Sequence, residues 1–191
     1  MDPDPSEELT LEAIQRQTSV NEELDKIAIE LHGELQKDER EELQFFDSDF
    51  KSLVPIQNMA SGAKTMSMLI RGLRNGRIPP DGLVIIDEPE TNLHPEWQVR
   101  FAEFLVLLHA RFSLKLLLNT HSPFFLKAIQ TYSDRLDVRD ACRYYKMERK
   151  GDAVLYSSRD VTDDSESVFA DMSRPYAKLL YGDSYDGNPS R

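Results

Sequence analysis

The spacing of apolar residues predicts helix in the first part of the chain. From Glu7 to Phe46, apolar positions recur at three- and four-residue steps on a strongly acidic background, with Asn21 placed to cap the amphipathic stretch. The apolar stripe consists of Leu24, Ile27, Ala28, Leu31 and Leu35. No strand pattern precedes Leu83, so this part is expected to form a helical layer or an arm that reaches a partner chain.

The middle of the chain has the pattern of a strand–helix–strand unit. The apolar run Leu83–Ile86 is typical of a strand that is buried on both faces of a parallel sheet. Helical spacing follows from Pro95 to Phe112, and a second apolar run follows at Leu114–Leu118. The fold class is therefore predicted to be α/β, with parallel strands at about 83–87 and 114–119. Functional groups of open α/β sheets gather at the carboxyl ends of the strands.

Other stretches predict further helices and a hairpin. A helix is expected from Ser61 to Asn75 and a shorter one from Pro123 to Thr131. The extended stretches Cys142–Met147 and Ala153–Ser157 flank a turn and predict a carboxyl-terminal β-hairpin. Short helices and a polar tail are expected after Thr162.

Composition and charge narrow the class of protein. The 191 residues are 40% hydrophobic and 30% charged, as in a folded globular protein. No apolar run approaches the ~20 residues of a membrane helix, and the chain begins with acids, so we expect a cytoplasmic protein without a membrane partner. The single Cys142 excludes an internal disulfide.

The net charge of −11 comes mostly from residues 1–50, whereas residues 51–150 are net basic. Surface lysines explain the basic stretch as well as phosphate binding does, so contact with nucleic acid is expected to be indirect at most.

Two adjacent carboxylates, Asp87 and Glu88, end the first apolar run. Such a pair repels itself and loses hydration unless a cation or a proton shares the site. In a nucleotide hydrolase the first acid would hold Mg²⁺ and the second would take a proton from the attacking water. A solvated acidic turn explains the pair equally well. A metal nuclease built on these two acids and Glu90 would leave the histidine and glycine motifs without a role.

A serine and a glycine open the predicted second helix. Ser61 and Gly62 would expose backbone N–H groups and a hydroxyl at the positive end of the helix dipole, and Lys64 adds a charge one turn later. This arrangement predicts a phosphate receptor. Taken alone, it is better explained as an ordinary serine cap, and its position before the acid pair favours the phosphate receptor.

Together, these motifs resemble ABC-type ATPases, the superfamily that includes structural-maintenance-of-chromosomes (SMC) and Rad50-like proteins and belongs to the AAA family in the broad sense. Leu83–Glu88 resembles the Walker B strand with its catalytic glutamate, and Asn119–Pro123 resembles the switch-histidine motif. Asn58–Lys64 resembles the signature motif, and Asn92–Pro95 occupies the place of the D-loop.

This resemblance implies a site for ATP and Mg²⁺. By analogy, Asp87 serves the metal, Glu88 the attacking water and His121 the terminal phosphate of ATP. It also implies a dimer, either homo- or hetero-oligomeric, in which the signature and D-loop residues bind the nucleotide held by an opposing protomer. These nucleotide-binding residues are Asn58, Ser61, Gly62, Lys64 and Asn92.

The resemblance covers the carboxyl-terminal half of an ATPase head. None of the eight glycines has the spacing of a Walker A loop, which cradles the phosphates in this family. We therefore divide the chain into an acidic helical segment or arm (1–50), the carboxyl-terminal lobe of an ABC-type head (51–160), and short helices with a polar tail (161–191). Three explanations remain open: a fragment of a larger ATPase, one half of a split head, or a degenerate subunit.

The residues between the motifs resemble a narrower group. Met59–Ile78 and Glu90–Tyr132 are similar to ATPases of bacterial antiphage systems, notably the Septu-type ATPase that works beside an HNH nuclease. This resemblance implies a role in antiviral defence with a nuclease partner, for which the acidic arm is a candidate docking surface. The alternative is a non-catalytic interaction subunit that keeps the ATPase fold and binds a partner through that arm.

Overall fold

The structure is a computed structural model, and it forms two compact units, Met1–Thr120 and His121–Arg191. It describes residues 5–30, 33–37, 43–48, 51–54, 61–149 and 156–182. None of the helices in these ranges is long and apolar enough to cross a membrane.

The described residues of the first unit form three helices, an antiparallel sheet and a parallel sheet. In chain order its elements are α1 (Pro5–Glu30), β1 (Gly33–Lys37), β2 (Leu43–Asp47), β3 (Ser52–Val54), α2 (Ser61–Arg74), β4 (Leu83–Asp87), α3 (Pro95–Phe112) and β5 (Lys115–Asn119). Strands β1, β2 and β3 pair antiparallel in that order. Strands β4 and β5 pair in parallel, which confirms the predicted α/β class with its two parallel strands.

Helix α3 supplies much of the core of this unit. Pro95 occupies its first turn, where the missing N–H costs nothing. The helix ends at Ser113, whose positive φ and N–H bond to the His109 carbonyl close the last turn. Its buried residues are Phe101, Ala102, Phe104, Leu105, Val106, Leu107, Leu108 and Phe112. A helix that is apolar on so many sides must be covered from several directions.

Helix α1 packs into the same core. Leu24 and Ile27 are each 1% exposed, and Arg74 of α2 donates a hydrogen bond to Asp25 on the outer side. Because its apolar stripe is buried inside the unit, α1 forms a layer of the unit.

The prediction of helix up to Phe46 is wrong beyond Glu30, since three strands follow before residue 55. The prediction that no strand precedes Leu83 is wrong for the same reason. Asn21 does not cap a helix start, because α1 runs without a break from Pro5 to Glu30.

The sheet of β4 and β5 has one open face. Its register pairs Leu83 with Lys115, Ile85 with Leu117 and Asp87 with Asn119, so these six residues share one face. Leu83, Ile85 and Leu117 are 64%, 66% and 57% exposed. The prediction of burial on both faces is therefore wrong for this chain as it stands.

The second unit contains α4 (Pro123–Arg135), β6 (Tyr145–Arg149), β7 (Tyr156–Asp160) and α5 (Ser165–Tyr181). The antiparallel pairing of β6 with β7 confirms the predicted hairpin, although β6 begins three residues later than expected. Residues 153–155 of the second predicted stretch lie outside the described residues. The two short helices predicted near the end are one helix, α5, which contains Pro175. The polar tail lies outside the described residues.

An ion pair joins the hairpin to α5. Lys146 on β6 donates a hydrogen bond to the Asp171 carboxylate, and this contact holds the pKa of Asp171 below its usual range. Tyr144, just before the hairpin, is partly buried, and burial raises its pKa. Tyr145 points outward and is 61% exposed.

Candidate functional site

The carboxyl ends of β4 and β5 are joined by two hydrogen bonds. The side-chain amide of Asn119 donates to the Asp87 carboxylate over 2.6 Å, and the Glu88 N–H donates to the Asn119 carbonyl over 2.8 Å. Parallel pairing in register places the last residues of the two strands side by side. The acidic pair and the start of the Asn119–Pro123 motif therefore meet at one edge of the sheet.

Asp87 lies on the open face of this sheet and is exposed. Its Oδ1 accepts the bond from Asn119. Mg²⁺ in nucleotide sites is held by one or two carboxylates together with waters and phosphate oxygens. One exposed carboxylate fits such a site, and no group of three or more His, Cys, Asp or Glu suited to a metal occurs in the described part of the chain.

Glu88 adopts a backbone conformation that side chains rarely take. Its φ is +46°, in the left-handed region, where the β-carbon crowds the backbone. A tight turn holds this conformation, since the Thr91 N–H bonds to the Glu88 carbonyl over 3.0 Å. The Thr91 hydroxyl also donates to Glu88 Oε2 over 3.0 Å, so the carboxylate is oriented by its own turn. Strain of this kind, when it persists, is concentrated at functional sites.

Glu90 is the buried acid of this region. It is 9% exposed, and its Oε1 accepts a 2.6 Å hydrogen bond from the Thr120 hydroxyl. Thirty residues separate the two in the chain. This bond is the third contact between the segment after β4 and the segment at the end of β5.

The D-loop-like segment continues the same turn. Asn92 has a φ of +59° and is exposed. The Leu93 N–H bonds to the Glu90 carbonyl over 3.0 Å, and the Gln98 side chain donates to the Leu93 carbonyl over 3.1 Å. The backbone of this segment is thus fixed from both ends, with Asn92 facing solvent.

The signature-like residues open helix α2. Ser61 is its first residue, and Gly62 and Lys64 lie in its first turn, so the predicted helix start is confirmed. Asn58 lies outside the described residues.

His121 is the first residue of the second unit, and it follows Thr120 directly in the chain. It is exposed. Just after it, the Ser122 hydroxyl accepts a 3.1 Å bond from the Phe125 N–H and caps α4, with Pro123 at the first helical position. The backbone on the far side of His121 is thereby fixed by the start of a helix.

Sequence reasoning identified the acids and the histidine but missed the groups that hold them. Asn119 as the partner of Asp87, Thr91 as the partner of Glu88, and the bond between Thr120 and Glu90 were not foreseen. The contact between Asn119 and Asp87 could have been inferred from the strand register. Two apolar runs of similar length that end in Asp87 and Asn119 place these residues opposite each other once the strands pair in parallel.

Comparison with known proteins agrees with this architecture. A search of curated proteins found no match. Among solved structures, the chain is similar to one from a study of ATP-driven dimerization and DNA-stimulated activation of SMC ATPases, with a TM-score of 0.53 and 10% identity. The match covers 83% of this chain and 94% of the other, and at this identity it concerns the fold alone. Residues 5–127 match the family described as "AAA domain, putative AbiEii toxin, Type IV TA system". The chain has an SMC ATPase-like fold and belongs to this family of AAA domains.

Proposed function

We propose that this chain binds and hydrolyses ATP as the carboxyl-terminal lobe of an ABC-type head. In this proposal Asp87 holds Mg²⁺, Glu88 accepts a proton from the attacking water, and His121 contacts the terminal phosphate of ATP. When bound, Mg²⁺ would offset the negative charge of the phosphates. The chain's own contribution is to orient the Glu88 carboxylate, through Thr91, as a general base.

The observation that carries this proposal is the pair of bonds between the ends of β4 and β5. They hold the Asp87 carboxylate and the strained Glu88 at the carboxyl edge of a parallel sheet. Asn119 lies at the same edge, two residues before His121 in the chain. Ligands of open α/β sheets bind at this edge. A solvated acidic turn would need neither the cross-strand bonds nor the positive φ of Glu88.

The open face of the sheet supports the need for a second lobe. Parallel sheets are normally covered on both faces, yet Leu83, Ile85 and Leu117 are more than half exposed. Asp87 lies at the end of this same face. We propose that the lobe with the glycine-rich loop packs on this face. A lobe that covers the face would bring its phosphate-binding loop next to the Asp87 carboxylate, which is proposed to hold Mg²⁺.

The signature-like residues are proposed to act across a dimer. Ser61, Gly62, Lys64 and Asn58 would bind the nucleotide held by an opposing protomer, and Asn92 would lie near the dimer interface. The similar SMC ATPases undergo ATP-driven dimerization, which supports an oligomeric active form.

Mixing experiments test the proposal directly. The partner is a polypeptide that carries the glycine-rich loop of an ABC-type head, and the probe is a fluorescent ATP analogue with Mg²⁺. We expect Mg²⁺-dependent binding only when both polypeptides are present. Two folded partners that associate without binding the nucleotide would contradict an ATPase role and favour a non-catalytic subunit.

The proposed biological role is antiphage defence beside a nuclease, with nucleic acid contacted indirectly. Because α1 is packed in the core, its acidic outer face is the part available for docking. We expect Glu22→Lys, at an exposed position of that face, to weaken capture of a co-expressed HNH nuclease, whereas Glu96→Lys, the same change at an exposed glutamate of α3, serves as the control. Equal capture by both variants and the unaltered chain would contradict docking through this face.

A further inference from the structure

The bond between Glu90 and Thr120 joins two side chains that are 30 residues apart in the chain, at the candidate site. A carboxylate that is only 9% exposed loses hydration, and this loss is tolerated where a donor such as a hydroxyl faces it. The 2.6 Å contact with the Thr120 hydroxyl supplies such a donor. Thr120 lies within the Asn119–Pro123 motif, but neither residue has a role in the chemistry proposed above.

Thr120 stands between two residues with proposed or observed roles at the site. Asn119, before it, bonds to Asp87, and His121 follows it. The backbone after His121 is fixed by the Ser122 cap of α4. The backbone before His121 leaves the strand at Asn119, and the side-chain bond of Thr120 is a contact that holds this step of the chain.

Glu90, the acceptor of this bond, is itself held by the backbone of its turn. The Glu90 carbonyl accepts a bond from the Leu93 N–H, and Glu90 lies in the turn that contains Glu88 and Thr91. A shift of this turn would therefore move both the proposed base and the start of the histidine segment.

We propose that Glu90 is a positioning residue, which holds Thr120 and thereby sets the backbone from which His121 projects. This inference rests on the proposed function, in which His121 contacts the terminal phosphate of ATP. Glu90 itself touches no reacting atom in this account. Its effect is exerted through the Thr120 hydroxyl.

Two substitutions at position 120 separate the hydroxyl from the shape of the side chain. Thr120→Val keeps the β-branched shape and removes the donor, whereas Thr120→Ser keeps the donor. The first readout is amide hydrogen exchange of the full chain over residues 119–122. We expect Thr120→Val to raise exchange there, and Thr120→Ser to restore values near those of the unaltered chain. Glu90→Leu is expected to behave like Thr120→Val.

The second readout is ATP turnover of the chain mixed with the polypeptide that carries the glycine-rich loop. A small displacement of a catalytic group lowers turnover strongly, so we expect kcat to fall about 10- to 100-fold in Thr120→Val while KM stays within about twofold. Thr120→Ser should retain most of the activity. A general loss of stability would instead lower the amount of folded protein and affect the whole exchange pattern.

Each outcome decides a separate question. Equal exchange and equal kcat in Thr120→Val and Thr120→Ser would overturn the positioning role. Raised local exchange with unchanged kcat would also overturn it, because the bond would then be structural only. If the unaltered mixture fails to hydrolyse ATP, the proposed function fails, and the exchange result alone still decides whether Glu90 holds the backbone at His121.

Discussion

Glu88→Gln is expected to stop ATP turnover by the complemented head while leaving ATP bound. The amide has nearly the same size as the carboxylate, but it cannot accept a proton from the attacking water. Loss of a general base typically costs 10²- to 10⁴-fold in rate. The measurement is single-turnover hydrolysis of radiolabelled ATP, followed by rapid filtration to count the nucleotide that remains on the protein.

Glu96→Gln provides the matched control. Glu96 is also an exposed glutamate in the first unit, in the first turn of α3, and it has no part in the proposed chemistry. We expect its turnover to equal that of the unaltered chain. Unchanged turnover in Glu88→Gln would remove Glu88 as the base, and loss of ATP binding in that variant would assign it to nucleotide binding instead.

The parts of the fold with unambiguous local signals were predicted from the sequence. Pro95 at a helix start and eighteen residues of helical spacing gave the bounds of α3. The apolar run that ends in Asp87 gave β4 to within one residue. In these segments the periodicity, the breakers and the composition all favour the same structure.

The strands β1, β2 and β3 show where this reasoning fails. Leu35 continues the apolar spacing of α1 and was therefore assigned to a helix, but it lies in the five-residue strand Gly33–Lys37. A strand this short and this polar has no clear period of its own. Its pairing with Leu43–Asp47 comes from a contact between segments that local spacing does not encode.

The candidate site divides in the same way. The acids and the histidine could be named from short motifs, because their chemistry requires particular residue types. The hydroxyl partners could not, since Thr91 and Thr120 are ordinary residues whose roles depend on a turn and on the strand register. The open face of the sheet was also missed, because an apolar run alone does not reveal what covers it.

Ile85→Asp is expected to abolish association of this chain with the polypeptide that carries the glycine-rich loop. Ile85 lies in the middle of the open face, between Leu83 and the level of Asp87, and it is 66% exposed in the chain alone. Covering an isoleucine side chain contributes about 1.5–3 kcal/mol, and burying an unpaired carboxylate adds a larger cost. The association constant of the two polypeptides should therefore fall by more than 100-fold. Isothermal titration calorimetry of the two purified polypeptides measures this change.

Ile29→Asp is the control, because it makes the same substitution at a residue of similar exposure, 71%, on α1. We expect it to bind like the unaltered chain. Ile85→Thr keeps the β-branched shape that suits a strand, so β4 is expected to remain folded in this variant. Its affinity for the partner polypeptide should fall about tenfold. If both substitutions at position 85 leave association intact in folded protein, the second lobe does not cover this face. The carboxylate of Asp87 would then have to meet the phosphates from another direction.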